Sequence, residues 1–457
     1  VRLFASQALL ADGWARDVTI ETDESGRVSA IDRGPPAPGA ERAAGPVVPG
    51  MPDLHSHAFQ RALAGRTERR GPGGRDSFWT WREAMYRFAQ RLTPEIAQHV
   101  AAWLYVELLE HGYTAVAEFQ YVHNDPDGSP YADPAEMSLA HVRAAADAGI
   151  ALTMLPALYA HGGFGGAPLG ALQTRFRSSP DAILRIVERL RALDAPGLVV
   201  GAAAHSLRAV TPEELAALCD GLAGIDPGAP LHIHVAEQTK EVDECLAWRG
   251  RRPVAWLLEH APVGQRWCLV HCTHLDDAEL AGLAASGAVA GLCPTTEANL
   301  GDGVFRLADY LVAGGRFGIG SDSHVARDPV EELRWLEYAQ RLVRRERNVA
   351  ASAARPSVGG TLWRAAAVGG AQALGRAAGA LQPLARADLV VLDGEHPDLV
   401  GREGDEVLDA LVFSGGAGMV RDVMVGGRWQ VRAGRHPRAA TLERAYRRAV
   451  ERLVRGD

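Results

Sequence analysis

Four short runs of this 457-residue sequence concentrate side chains that bind metals or move protons. The first is Asp53-Leu54-His55-Ser56-His57, in which two histidines stand two residues apart. On extended backbone that spacing turns both imidazoles to the same side, where they can share one ion. The second is His232-Ile233-His234-Val235-Ala236-Glu237, the third Val270-His271-Cys272-Thr273-His274, and the fourth Gly320-Ser321-Asp322-Ser323-His324. Any one of them alone is an ordinary polar cluster. Together they describe a metal site if one architecture brings their ends to a common point.

A parallel barrel does so. Between about Pro46 and Leu381, short apolar runs alternate with amphipathic stretches. The runs are Val47–Leu54, Ala115–Phe119, Ala151–Leu158, Leu198–Ala204, Leu231–Val235, Trp267–Val270, Ala288–Leu292 and Arg316–Ile319. Helical patterns fall between most of them, for instance at Pro94–His111, Pro134–Ala148, Pro180–Leu193 and Pro212–Leu222. Eight buried strands alternating with helices predict a (β/α)8 TIM-like barrel, whose C-terminal strand ends converge on one pocket. An open doubly wound sheet is the competing fold, but no GxGxxG follows the first strand. Long loops follow the early strands, among them the Arg/Gly-rich stretch Glu68–Trp81.

Both ends of the chain have a different texture. Asp17–Glu21 and Gly26–Asp32 near the start, and Ala387–Asp393, Val420–Val425 and Gly426–Val431 near the end, read as short strands. Gly426-Gly427 is a hairpin signal. The expected organisation is a small β-sandwich domain composed of residues 1–45 and 382–457 around a barrel of residues 46–381.

Composition narrows the function. A net charge of −8 offers no basic surface for nucleic acid or anionic membrane. No apolar run reaches the length of a membrane span, and Val1-Arg2-Leu3-Phe4 opens as a strand instead of a signal peptide. Five cysteines, an odd number with no CxxC, argue for reduced thiols and a cytoplasmic enzyme. Lys240 is the sole lysine.

HxH after strand one, HxxE on strand five, His after strand six and Asp after strand eight resemble the amidohydrolase superfamily, and the resemblance runs over essentially the whole chain. It implies His55, His57, His234 and Asp322 as metal ligands, with Glu237, His271 and Asp322 as the catalytic groups. His274 and His324 are alternatives near the same strand ends, and His232 is expected to face packing. Binuclear members of the superfamily bridge their metals with a carboxylated lysine or a glutamate late in the first half of the barrel. The only lysine here lies beyond strand five, so one divalent metal is expected. Zn²⁺ suits a set of three histidines and an aspartate, and Fe²⁺ would also be stable there. Such an ion, with an open position, activates water at neutral pH for attack on an sp² carbon bearing nitrogen.

Arg82 and Arg208, with nearby His and Tyr donors, suit an anionic substrate, since guanidinium binds carboxylate bidentately. More specifically, Phe78–Glu83, His205–Arg208, Ala236–Val242 and Cys293–Gly303 are similar to the formimidoylglutamate deiminase family. That resemblance implies hydrolysis of N-formimino-L-glutamate, a dicarboxylate amidine, to N-formyl-L-glutamate and ammonia in histidine degradation. It adds Gln60, Tyr121 and His205 to Arg82 and Arg208 as substrate contacts, and it implies a homodimer. Nucleobase deaminases of the superfamily usually carry Cys-Pro-x-Ser-Asn after strand seven, where this chain has Cys293-Pro294-Thr295-Thr296-Glu297. The alternatives are a deaminase of a cyclic amidine such as guanine or a triazine, and a non-catalytic assembly protein on the same fold.

Overall fold

A computed structural model describes residues 1–70 and 76–455. Part of the long loop expected over Glu68–Trp81, residues 71–75, lies outside the described residues, as do the last two residues of the chain.

Eight parallel strands form the barrel: Met51–Ser56, Tyr113–Gln120, Ala151–Leu158, Ala202–Ser206, Leu231–Val235, Trp267–His271, Val289–Leu292 and Arg316–Ile319. Neighbours pair in sequence order from the first strand to the eighth. The ring closes just past the eighth strand, where Asp322 donates its N–H to the carbonyl of His55 (2.9 Å) and accepts from the N–H of His57 (3.1 Å). Gly320 makes this approach possible, because a Cβ there would stand 2.7–2.9 Å from atoms of His55.

Two of the expected runs prove to be two strands each. In Val47–Leu54, residues Val47–Pro49 belong to the second sheet and Met51–Ser56 to the barrel, with the switch at Gly50. In Leu198–Ala204, Leu198–Val200 pairs only with Ala151–Leu158, and the barrel strand begins after Gly201. Continuous apolar runs carry no alternation that would mark such a transfer.

The second sheet draws eight strands from both ends of the chain. Its path runs Arg428–Val431, Val420–Val425, Leu389–Leu392, Val47–Pro49, Arg2–Leu10, Gly13–Thr22, Val28–Arg33, and Glu41–Arg42 pairs with Arg2–Leu10. The Gly426-Gly427 hairpin is present, with φ of +52° and +74°, the left-handed pair that a tight two-residue turn demands. The C-terminal part also contains helices, Asp405–Phe413 and Ala439–Arg455, that its strand-like texture does not predict. The latter packs on the barrel helix Pro94–Glu110, with Tyr446 against Trp103 and under the Arg61 guanidinium. All five cysteines are buried and unpaired. Among the described residues, no helix is long and apolar enough to cross a membrane.

Candidate metal centre and substrate cavity

The strand-end clusters meet at the C-terminal mouth of the barrel. His55 and His57 flank Ser56, whose hydroxyl turns the other way and donates to Glu118 (2.8 Å). Nε2 of His234 lies 3.0 Å from Nε2 of His55 and 3.3 Å from Nε2 of His57. Oδ1 of Asp322 lies 3.6 Å from Nε2 of both His55 and His57. Four ligand atoms bound to one tetrahedral ion at about 2.0–2.1 Å stand roughly 3.3 Å apart, so these separations fit such an ion.

Hydrogen bonding strengthens the fit. Nδ1 of His57 donates to the carbonyl of Phe119 (2.9 Å), and Nδ1 of His234 donates to the carbonyl of His205 (2.8 Å). Burial holds both rings neutral, pushing His57 down to about 3 and His234 well below the usual histidine range. Each Nε2 therefore presents a lone pair, and at 3.3 Å the two repel unless a cation lies between them. Burial raises Asp322 to about 7, a cost that an adjacent cation offsets.

His271 stands beside this group. Its Nδ1 is 3.3 Å from Oε1 of Glu297, and its Nε2 is 3.8 Å from Oε1 of Glu237 and 3.9 Å from Oδ2 of Asp322. Burial works against protonating this ring, but Glu237, Glu297 and Asp322 outweigh it and lift its pKa to about 10. A divalent cation next to Asp322 opposes that charge and draws the ring back toward neutrality. Backbone strain collects here as well. Ala236, His271, Cys272 and Asp322 all have positive φ, between +49° and +70°. Outside glycine that conformation costs on the order of 1–2 kcal/mol per residue, and the packed strand ends must hold it.

The remaining histidines of the four runs are engaged elsewhere. His232 bonds through Nε2 to the carbonyl of Ala373 (2.7 Å), His274 to the carbonyl of Asp302 (2.9 Å), and His324 lies between the hydroxyls of Ser321 and Ser56.

A cavity opens over the centre. His57, His234, Glu237, His271 and Asp322 line its inner end, and Gln60, Arg82, Tyr121, His205 and Arg208 line the rest. All five residues expected to contact substrate thus share one cavity with the metal-type cluster. Tyr121 and Gln60 are in contact through Oη and Nε2 (3.3 Å), and the His205 ring lies against Tyr121 and Tyr159. Oε1 of Gln60, Nε of Arg82 and Nε of Arg208 are buried without a hydrogen-bond partner among the described residues. Buried donors and acceptors in that condition call for a polar ligand.

Two features of the site have only a faint sequence signal. Glu297 lies on the short helix Pro294–Leu300 after strand seven and holds His271, although in the sequence it registers only as a departure from a motif. Tyr86 lines the cavity one turn beyond Arg82 on the helix Phe78–Ala89, with its hydroxyl 3.0 Å from that of Tyr159.

A metal-type cluster at the C-terminal end of an eight-stranded barrel, with a cavity above it, defines a class of metal-dependent hydrolase. The amidohydrolase family model matches residues 47–430, and the chain belongs to that family. The model for the N-terminal domain of formimidoylglutamate deiminase HutF matches residues 2–45. Over 453 residues, 99% of each chain, the sequence is 55% identical to formimidoylglutamate deiminase of Pseudomonas aeruginosa. A crystal structure of an amidohydrolase from Brucella melitensis superposes with a TM-score of 0.93 at 49% identity, covering 99% of both chains. An adenosine deaminase from Xanthomonas campestris with bound zinc shares the fold at a TM-score of 0.81 and 20% identity, covering 99% of this chain and 98% of that one.

Proposed function

We propose that the chain hydrolyses N-formimino-L-glutamate to N-formyl-L-glutamate and ammonia, using one divalent ion, Zn²⁺, held by His55, His57, His234 and Asp322. The observation that carries this reading is the polarity of a single cavity: imidazole lone pairs gathered at its inner end, and the unpartnered Nε atoms of two arginines farther out. The 55% identity to a formimidoylglutamate deiminase over nearly the whole chain supports the same choice. A formimino carbon needs the first end, and the two carboxylates of a glutamate need the second.

In the reaction, one water adds to the formimino carbon and the C–N bond to the terminal nitrogen breaks, so RNH–CH=NH plus H₂O yields RNH–CHO plus NH₃. The bound ion would supply Lewis acidity, making water nucleophilic at neutral pH. Nε2 of His271 takes the proton from the attacking water, with Glu297 fixing the ring through Nδ1. Asp322 faces the same region through Oδ2 and stabilises the charge developing there. Glu237 carries a proton to the departing nitrogen, its carboxylate lying 3.8 Å from His271. Gln60, Tyr121 and His205 hold the amidine over the centre, while Arg82 and Arg208 bind the carboxylates. A flat cyclic amidine would leave both guanidinium groups buried against an uncharged ligand, which disfavours the guanine or triazine reading.

The test is release of ammonia from N-formimino-L-glutamate by metal-replete protein, with guanine and cytosine as controls. Chelation should abolish it and Zn²⁺ should restore it. Metal-replete protein that leaves formiminoglutamate untouched would exclude the substrate, though not the metal hydrolase. The proposed working form is a cytoplasmic homodimer, which light scattering of the purified chain would check by mass.

A further inference from the structure

Arg82 and Arg208 must present charge to a substrate without being neutralised by the protein first. Among the described residues, neither forms an ion pair within 4 Å of a carboxylate, Glu241 and Glu237 acting on Arg208 only from farther away, and both have a buried, unpartnered Nε. What they do share is an aromatic ring. The guanidinium carbon of Arg82 lies 4.5 Å from the centroid of Trp79, and that of Arg208 lies 5.8 Å from it. Nζ of Lys240, the only lysine in the chain, lies 4.4 Å from the same ring.

The sequence positions explain how this gathering arises. Trp79, Arg82 and Tyr86 lie on the helix Phe78–Ala89 at spacings of three and four, hence on one face. Arg82 sits between the two rings, 4.5 Å from Trp79 and 5.5 Å from Tyr86. Arg208 comes from the loop after barrel strand four, and Lys240 from the first turn of the helix Thr239–Arg249, three residues beyond Glu237. One indole thus joins the first-loop helix to the loop after strand four and to the helix after strand five.

An aromatic face differs from a carboxylate as a partner for arginine. It attracts the cation through the ring quadrupole while leaving the in-plane N–H donors free. A carboxylate in the same place would occupy those donors and cancel the charge.

We propose that Trp79 is a positioning residue for substrate recognition: its ring holds Arg82 and Arg208 in place, with their donors free for the carboxylates of the substrate. This rests on the dicarboxylate reading of the cavity and extends it to a side chain that does not line the cavity. Lys240 anchors the ring from the strand-five side, pairing at 3.7 Å with Glu244 on its own helix.

The test compares Trp79→Leu with Trp79→Phe in the metal-replete enzyme on N-formimino-L-glutamate. Leucine keeps an apolar side chain and removes the quadrupole, whereas phenylalanine keeps an aromatic face. Trp79→Leu should raise KM about tenfold with kcat changed less than about twofold, and Trp79→Phe should stay within about threefold of the parent KM. In an Arg82→Ala background most of the effect of Trp79→Leu should vanish, because the two act through one contact. Equal effects of Leu and Phe, a fall in kcat at constant KM, or full additivity with Arg82→Ala would each overturn the proposal. A parent enzyme that does not turn over formiminoglutamate fails at the earlier step and takes this proposal with it. Normal parental turnover with an unchanged KM in Trp79→Leu refutes the role of Trp79 alone.

Discussion

The inner and outer ends of the cavity are built by different means. The inner end hangs on barrel strands: His55, His57, His234, His271 and Asp322 sit at or just past strand ends, and the backbone between them is hydrogen-bonded and locally strained. The outer end hangs on connecting segments, with Arg82 on the first-loop helix and Arg208 in the loop after strand four, and aromatic rings holding both. On the proposed function, the inner end would bind by fixed geometry and the outer end by free charge. Damage to the first should therefore remove the reaction, and damage to the second should weaken binding while the chemistry survives.

The largest expected effect is that of His234→Ala. It removes a nitrogen lying within 3.3 Å of two other imidazole nitrogens, and should lower both bound metal and turnover by three orders of magnitude or more, on the order of what a lost ligand implies. Metal analysis by mass spectrometry beside the ammonia assay checks both. Glu237→Gln follows, with kcat reduced about 10²- to 10⁴-fold and metal content unchanged, as fits a group that moves a proton without binding the ion. If metal were lost with it, Glu237 would belong to the ligand set. Arg208→Ala tests the other end: KM should rise about 100-fold with a far smaller change in kcat, on the scale of one lost charge-assisted carboxylate contact. A mutant that lost kcat at constant KM would erase the distinction between the two ends. The smallest effect is expected at Glu297→Gln, where the ring of His271 keeps a partner of similar shape but loses a charged one, reducing kcat about tenfold.

The inner end was largely legible in the sequence, the outer end less so. HxH two residues apart, HxxE, and isolated His and Asp at the ends of apolar runs follow from the period of a strand and the convergence of a barrel. The place where a continuous apolar run leaves one sheet for another is not legible in that way. Val47–Pro49 and Met51–Ser56 are both buried throughout, and the pairing partners on either side of Gly50 separate them. Glu297 escapes for a different reason, since nothing local tells which of several carboxylates will turn toward His271. The helix Ala439–Arg455 does carry a signal, with Leu442, Ala445, Ala449 and Leu453 at helical spacing on its buried face. The strand-rich segment before it gives no hint of it. Arg82 could be named from its motif, but its place on an indole shared with Arg208 and Lys240 is a property of three elements meeting on Trp79.

The closure of the barrel at Asp322 has a consequence for how this molecule can be altered. The residue whose carboxylate faces the histidines is also the stitch that sews the eighth strand to the first, through the backbone of His55 and His57. Sliding Asp322 by a single position would turn its side chain away and unpick both stitches at once. The first-loop helix carries no such double duty, so a designer seeking a new acid specificity has room to work at Arg82 and Trp79 and almost none at the seam.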